Sequence, residues 1–321
     1  MILHNRAHVN NNAALLKYLI VIVGPTAVGK TAMSITLARH FGTEVLSADS
    51  RQFYKEMSIG TAKPDAEEMG EVPHHFIDSR SVKDEYDVGT YEKEALACLE
   101  TIFNEQEVAI LVGGSGLFVD AVCRGFDDLP RATPEIREAL NLQLQKEGLS
   151  SLQQALKRVD PVYYEQVDLQ NPQRIMRALE VYEVSGKPIS DFRQGQVQKR
   201  PFEVIKVGLE MDRQQLYERI DYRMDLMIEA GLFEEAKRLL PYRELNALQT
   251  VGYREIYGYL DGEYDLEEAI RLLKRNSRRY AKRQMTWFKR DETTAWFQPG
   301  DQEGIIQYLK SRLTSEGSET K

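Results

Sequence analysis

"YLIVIVGPTAVGKTAM", Tyr18–Met33, decides the architecture of this chain. Tyr18–Val23 is apolar and rich in β-branched side chains, which suits a strand buried on both faces. Gly24–Thr31 then has the spacing G-x-x-x-x-G-K-[ST]. In that pattern the loop Gly24, Pro25, Thr26, Ala27, Val28, Gly29 turns its backbone N–H groups onto a diphosphate. Lys30 neutralises the anion and the Thr31 hydroxyl takes Mg²⁺. Met33, Leu37 and Phe41 follow at i, i+4 and i+8, and Gly42 is a stop signal, so a helix begins at the loop. Its N-terminal dipole adds to the anion site. The loop therefore binds phosphate, but the motif does not say what is done with it.

Downstream, "TEVLSADS" reads as a second strand ending at Asp49 and Ser50. Arg51 to Asp87 reads as mixed loop and short elements, and Tyr91–Phe103 as an amphipathic helix. "VAILVGG", Val108–Gly114, is another fully apolar strand. Strands alternating with helices imply an α/β fold, a parallel sheet with helices on both faces. Ligands in such sheets gather beyond the carboxyl ends of the strands, which puts the phosphate loop, Asp49 and Gly113–Gly116 on one edge.

From about Leu129 to Arg200 the pattern turns helical. Thr133-Pro134 reads as N-cap and N1, with Gly148 as terminator; Asn171-Pro172 repeats the device, closed by Gly186 and Pro188. "EVIKVGLEM", from Glu203, returns to strand pattern, and the remainder is mostly helix. The expected organisation is a discontinuous core, 18–128 and 201–313, around a helical insertion, 129–200. Flexible termini would cover 1–17 and 314–321. The opening "MILHNRAHVNNNAALL" lacks the apolar region of a secretory signal and reads as a disordered leader or a start assigned too early.

The 321 residues are 42 % hydrophobic and 29 % charged, as in a globular protein. No apolar run reaches the ~18–20 residues of a membrane span. The two cysteines, Cys98 and Cys123, lie on apolar stripes and read as reduced core residues, which points to a cytoplasmic protein. A net charge of −8 argues against a nucleic-acid binder. Yet Arg271–Arg290, "RLLKRNSRRYAKRQMTWFKR", carries nine Lys/Arg and no acid. With Tyr280, Trp287 and Phe288 interleaved, it suits a phosphodiester backbone and base stacking. The alternative is pairing with acids elsewhere in the chain.

A hydrolytic P-loop enzyme keeps an Asp at the end of an apolar strand to hold Mg²⁺. After "AILV" this chain has Gly113, Gly114, Ser115 and Gly116, which let backbone approach something closely but cannot ligate a metal through a carboxylate. Asp49, emerging from a buried strand at the ligand edge, is the candidate for acid/base work; a helix N-cap or a Mg²⁺ partner are the alternatives. Gln173, Arg174 and Arg177 share a helix face opposite Ile175, Leu179 and Tyr182, either as a contact surface or as ordinary surface charge. The adjacent His74 and His75 point to opposite faces if extended, so they make a poor metal pair.

"GPTAVGKT", "SADSRQFY", "IGTAKP", "PHHFID", "LVGGSGLF", "NPQRIMRALEVYEVSGKP", "TVGYRE" and "YAKRQMTWFKR" occur in the order seen in tRNA dimethylallyltransferases, and over Tyr18 to Phe297 the chain resembles that family. The resemblance implies an α/β fold with a P-loop NTPase/kinase-like parallel sheet core and a helical insertion domain, and transfer of a dimethylallyl group from its diphosphate to N6 of adenosine 37 in the anticodon loop of tRNAs reading U-starting codons. It implies Mg²⁺ as cofactor, with dimethylallyl diphosphate and the tRNA anticodon stem-loop as partners. A monomer with no membrane attachment is expected. Catalytic work would fall to Asp49, Lys30, Thr31, Ser115 and Arg283, with Mg²⁺ on Thr31. The tRNA-contacting segments would be Asp49, Ser50, Arg51 and Gln52; Ser115; Arg137; Gln173, Arg174, Ile175, Met176 and Arg177; Thr250, Gly252, Tyr253 and Arg254; and Lys282, Arg283 and Gln284. The chain departs from the family at Ser115 and Phe118, where Thr and Tyr are usual. A nucleotide or small-molecule kinase and a non-catalytic RNA-binding nucleotide switch are the rival functions. The basic run favours an RNA partner, and the Gly-rich strand end disfavours hydrolysis.

Overall fold

The computed structural model describes residues 16–70, 72–127, 129–193 and 198–315. The expected leader therefore lies almost wholly outside the described residues, as does the end of the polar tail. Six parallel strands form one sheet in the order β3-β2-β4-β1-β5-β6. Their ranges are β1 Tyr18–Val23, β2 Val45–Ser47, β3 His74–His75, β4 Val108–Val112, β5 Glu203–Leu209 and β6 Ala295–Phe297. β1 is central, in register with β4 on one side (Ile20 opposite Ile110) and β5 on the other (Ile20 opposite Ile205).

Period-two alternation explains why β1 is apolar throughout. Ile20 and Ile22 enter one core with Met33, Leu37, Val207 and Leu216. Leu19, Val21 and Val23 enter the opposite core with Tyr91, Leu99 and Val122. No side chain of the strand is left for water.

Local signals set the helix ends. Gly42 ends Lys30–Phe41 in the left-handed conformation, its N–H on the Ala38 carbonyl. Asp87 starts Val88–Glu105 by accepting from the Thr90 N–H at 2.8 Å, so that helix begins before the expected Tyr91. β3 and β6 are too short for periodicity to show. β6 forms because Gly208 on β5 has no side chain, and Trp296 fills the space a Cβ would take. The histidines of β3 serve as hydrogen-bonding groups: His75 meets the Glu44 carboxylate and His74 Nδ1 the Val72 carbonyl. No metal-ligating cluster of His, Cys, Asp or Glu occurs among the described residues.

Arg124–Lys199 forms a second compact unit. Its helices Pro134–Glu147 and Pro172–Ser185 carry the expected N-caps Thr133 and Asn171 and end at Gly148 and Gly186. Leu152, Leu156, Ile175, Met176 and Leu179 form its core. No described helix is long and apolar enough to cross a membrane.

Candidate active site

Three loops leave the carboxyl ends of neighbouring strands: 24–29 after β1, 48–52 after β2 and 113–115 after β4. Sheet order therefore brings the phosphate loop, Asp49 and the glycine-serine loop to one edge. The first loop needs its glycines. Gly24 has φ 146° with its Cα facing the Leu209 carbonyl, where a Cβ would lie 2.6 Å away, and Gly29 has φ 108° at the helix start.

Lys30 Nζ donates to the Pro25 carbonyl at 2.8 Å, so the lysine folds back over the loop. Burial pushes its pKa down to about 8, against the pull of Asp49 and with the push of Arg223. Arg223, on the helix Arg213–Glu229, donates to the Thr26 hydroxyl. Burial lowers its pKa, while Asp49 opposes and Arg219 adds to the effect. Asp49 is thus the common negative neighbour of two cations packed on the cradle.

Asp49 does not cap a helix. Its Oδ1 accepts the Arg51 N–H at 3.0 Å in a turn that carries no helix after it. That fixes one oxygen and the direction of the carboxylate. Beside it the Ser115 hydroxyl accepts the Ser50 N–H at 3.0 Å and lies 3.0 Å from the Ser50 hydroxyl. Tyr280 also bonds Ser115; burial and the Asp49 charge raise the tyrosine's pKa to about 12. Arg283 lies over the Tyr280 ring, 5.8 Å from its centroid.

Arg223 escaped the sequence reading, and Tyr280, read there as a base-stacking residue with Trp287 and Phe288, is turned onto Ser115 instead, while Trp287 donates to Asp120 and Phe288 is buried. Arg223 does have a sequence signal: it sits at the edge of the stripe Leu216, Ile220, Met224, Met227, where a cation borders the buried face.

Several sequence assignments need correction. Gly114 and Gly116 were expected to let backbone pass a ligand. Instead a Cβ on Gly114 would strike Gln284 Nε2, and one on Gly116 would strike the Trp287 ring, so the protein itself makes the close approach. Gln284 is buried, with both ends of its amide engaged, so it offers no RNA contact. Tyr253 is fully buried; its hydroxyl donates to Glu235 at 2.7 Å, and that carboxylate collects the N–H groups of Ser58, Ile59 and Gly60. "TVGYRE" and "IGTAKP" thus lock together. Gly252 is buried and starts the helix Tyr253–Leu260 with positive φ, whereas Arg254 is exposed and Thr250 half-buried. Gln52 is turned inward, its amide donating to the Thr61 carbonyl at 3.2 Å, and Arg51 reaches the Asn246 carbonyl at 3.0 Å.

In the helical unit Ile175 and Met176 are core residues, not surface contacts. Gln173 and Arg174 are exposed on the same helix. Arg137 and Arg177 are oriented by the buried Glu180, at 2.7 and 3.3 Å.

The basic run divides. Arg271, Lys274, Arg278 and Lys289 pair with Glu268, Asp225, Asp221 and Glu210. Arg279, Lys282 and Arg283 are exposed with no acidic ion-pair partner among the described residues, three cations within five positions of one helix. Phe118 packs on Phe53 and Tyr91 in an apolar cluster, so the missing hydroxyl leaves a well-filled site.

Fold and site define a P-loop, kinase-like α/β protein in which a glycine-serine loop replaces the strand-end aspartate of hydrolases. Residues 52–291 match the family model described as IPP transferase. The chain is 54 % identical over 297 residues to a tRNA dimethylallyltransferase of Cytophaga hutchinsonii, covering 92 % of this chain and 98 % of that protein. It is 50 % identical to one of Flavobacterium johnsoniae, covering 94 % and 99 %. Among solved structures, the full-length tRNA isopentenylpyrophosphate transferase of Bacillus halodurans aligns with TM-score 0.69 at 39 % identity, covering 92 % of this chain and 97 % of that one. A eukaryotic dimethylallyltransferase acting on tRNA aligns with TM-score 0.76 at 27 % identity, over 92 % and 77 %. The chain belongs to the IPP transferase family.

Proposed function

We propose that this protein transfers a dimethylallyl group from dimethylallyl diphosphate to N6 of adenosine 37 in the anticodon loop of tRNAs reading U-starting codons. The observation that carries this reading is the juxtaposition of an anion cradle holding Lys30 and Arg223 with a carboxylate, Asp49, beside a hydroxyl edge. The carbon–oxygen bond of the donor breaks and its electron pair leaves on diphosphate. Loop amides other than that of Thr26, which Gln284 holds, act with Lys30 and Arg223 to oppose the charge that grows there, which is where rate is gained. The adenine N6 lone pair forms the new carbon–nitrogen bond, and Asp49 takes the N6 proton as it does so. The base must leave its stack to reach this edge, at less cost in a loop than in a duplex. Arg279, Lys282 and Arg283 suit the RNA backbone that surrounds it.

Mg²⁺ fits here through the Thr31 hydroxyl, in the first turn of the helix Lys30–Phe41 that opens beyond the cradle, a sparse oxygen site of the kind Mg²⁺ completes with substrate phosphates and water. When bound it would add Lewis-acid stabilisation to the departing diphosphate. The free cysteines, one buried and one half-buried, support a reducing, cytoplasmic setting.

Incubation with dimethylallyl diphosphate, Mg²⁺ and unmodified tRNA, followed by nucleoside mass spectrometry, tests the reading. A C5H8 gain on adenosine 37 is expected; no gain on any tRNA carrying A36-A37-A38 would refute it. Lys30 adds a pH signature. Because its proton leaves the free protein near pH 8 and the donor needs the charged form, kcat/KM for the donor should fall about tenfold per unit above pH 8. A profile flat from pH 7 to 10 would remove that proton from donor binding.

A further inference from the structure

Three side chains of the helix Leu266–Phe288 address one short loop. Tyr280, Gln284 and Trp287 stand at i, i+4 and i+7, on one helix face. They meet Ser115, Gly114 and Gly116 respectively. Gln284 reaches further. It is buried, and its amide accepts from the Thr26 N–H at 2.8 Å while donating to the Gly114 carbonyl at 2.9 Å. One side chain thus ties the cradle after β1 to the loop after β4. The hydroxyl of the same Thr26 is held by Arg223, and a Cβ on Gly114 would lie 3.7 Å from Lys30 Nζ. The bridge therefore adjoins both cations that face the donor.

We propose that Gln284 is a positioning residue for the donor, which fixes the spacing between the diphosphate cradle and the Ser50–Ser115 edge. The proposal rests on the donor reading given above. The bridge needs one donor and one acceptor on a single planar group, which is what a carboxamide provides. Without it a peptide N–H and a peptide C=O are left unpaired in a mostly buried place, and the two loops shift to find other partners. A displacement of about 1 Å at a reacting centre is enough to cost about a hundredfold in rate. Its neighbour Arg283 points outward, so the helix presents one residue to solvent and the next to the donor loops.

The test compares wild type, Q284A and Q284E by calorimetric titration with inorganic diphosphate and Mg²⁺. Donor kinetics, tRNA affinity and Tm are measured in parallel. Q284A should weaken diphosphate binding, and lower kcat/KM for dimethylallyl diphosphate, by about ten- to a hundredfold. Affinity for tRNA should stay within about twofold, as expected for a side chain that makes no RNA contact. Q284E keeps the acceptor for Thr26 but cannot donate to Gly114 while its new carboxyl is ionised. Once protonated, that carboxyl presents one O–H and one C=O and restores the bridge. The ratio of wild-type to Q284E affinity should therefore shrink from pH 8 to pH 5, while the Q284A ratio stays constant. Diphosphate binding and donor kinetics unchanged in Q284A, or a loss confined to tRNA affinity, would overturn the proposal. Wild-type protein that binds no diphosphate would overturn the donor reading and this inference with it, and the wild-type titration alone tells the two failures apart.

Discussion

Asp49→Asn should reduce turnover by about a thousandfold, within the range for removal of a general base, while tRNA affinity changes by no more than a few-fold. The fold should survive, because the asparagine Oδ1 can still accept the Arg51 N–H that shapes the turn after β2. What is lost is the second carboxylate oxygen as a proton acceptor. Adenine N6 is a poor nucleophile, its lone pair delocalised into the ring, so transfer needs a base in place as the carbon–nitrogen bond forms. Single-turnover rates on preformed enzyme–tRNA complex separate this from binding. A variant that turned over at the wild-type rate would take Asp49 out of the chemistry and return it to turn formation or metal binding.

Arg223→Ala should lower kcat/KM for the donor by about 10²–10³, the usual cost of removing one donor to a developing oxyanion. The guanidinium is held on the Thr26 hydroxyl, and burial already lowers its pKa, so it stands partly desolvated where a diphosphate would complete its environment. Removing it takes a fixed charge from the departing group and leaves Asp49 with fewer cations around it. Arg223→Lys should restore part of the loss, since the charge returns without the planar fork. Steady-state kinetics in the donor, with Tm as a control on folding, decides it. An effect on tRNA affinity with unchanged donor kinetics would place Arg223 on the RNA side.

What the sequence made legible was local. Tyr18–Val23 announces a doubly buried strand through composition alone, and Thr133-Pro134, Asn171-Pro172, Gly42, Gly148 and Gly186 mark helix ends through their own backbone preferences. The convergence of the cradle, Asp49 and Ser115 followed from parallel topology. Contacts between residues far apart in the chain were not legible. Arg223 meets Thr26 across 197 positions and Gln284 meets it across 258, and no local pattern encodes either pairing. Contiguity misled in the opposite sense. Ile175, Met176 and Tyr253 sit inside segments with exposed neighbours, yet a helix turns successive residues by about 100°, so half of such a segment faces the core. The glycines of "LVGGSGLF" carry the same lesson: their missing side chains are complements of Gln284 and Trp287, and nothing near them in sequence says so.

In the proposed function the glycine-lysine cradle holds a leaving group and no phosphoryl group is transferred. Phosphorus NMR on a reaction containing dimethylallyl diphosphate, Mg²⁺ and tRNA measures this directly. One inorganic diphosphate should be released for each adenosine prenylated, with no orthophosphate. Orthophosphate as the product, or a phosphorylated acceptor formed from a nucleoside triphosphate with no carbon added to tRNA, would contradict it.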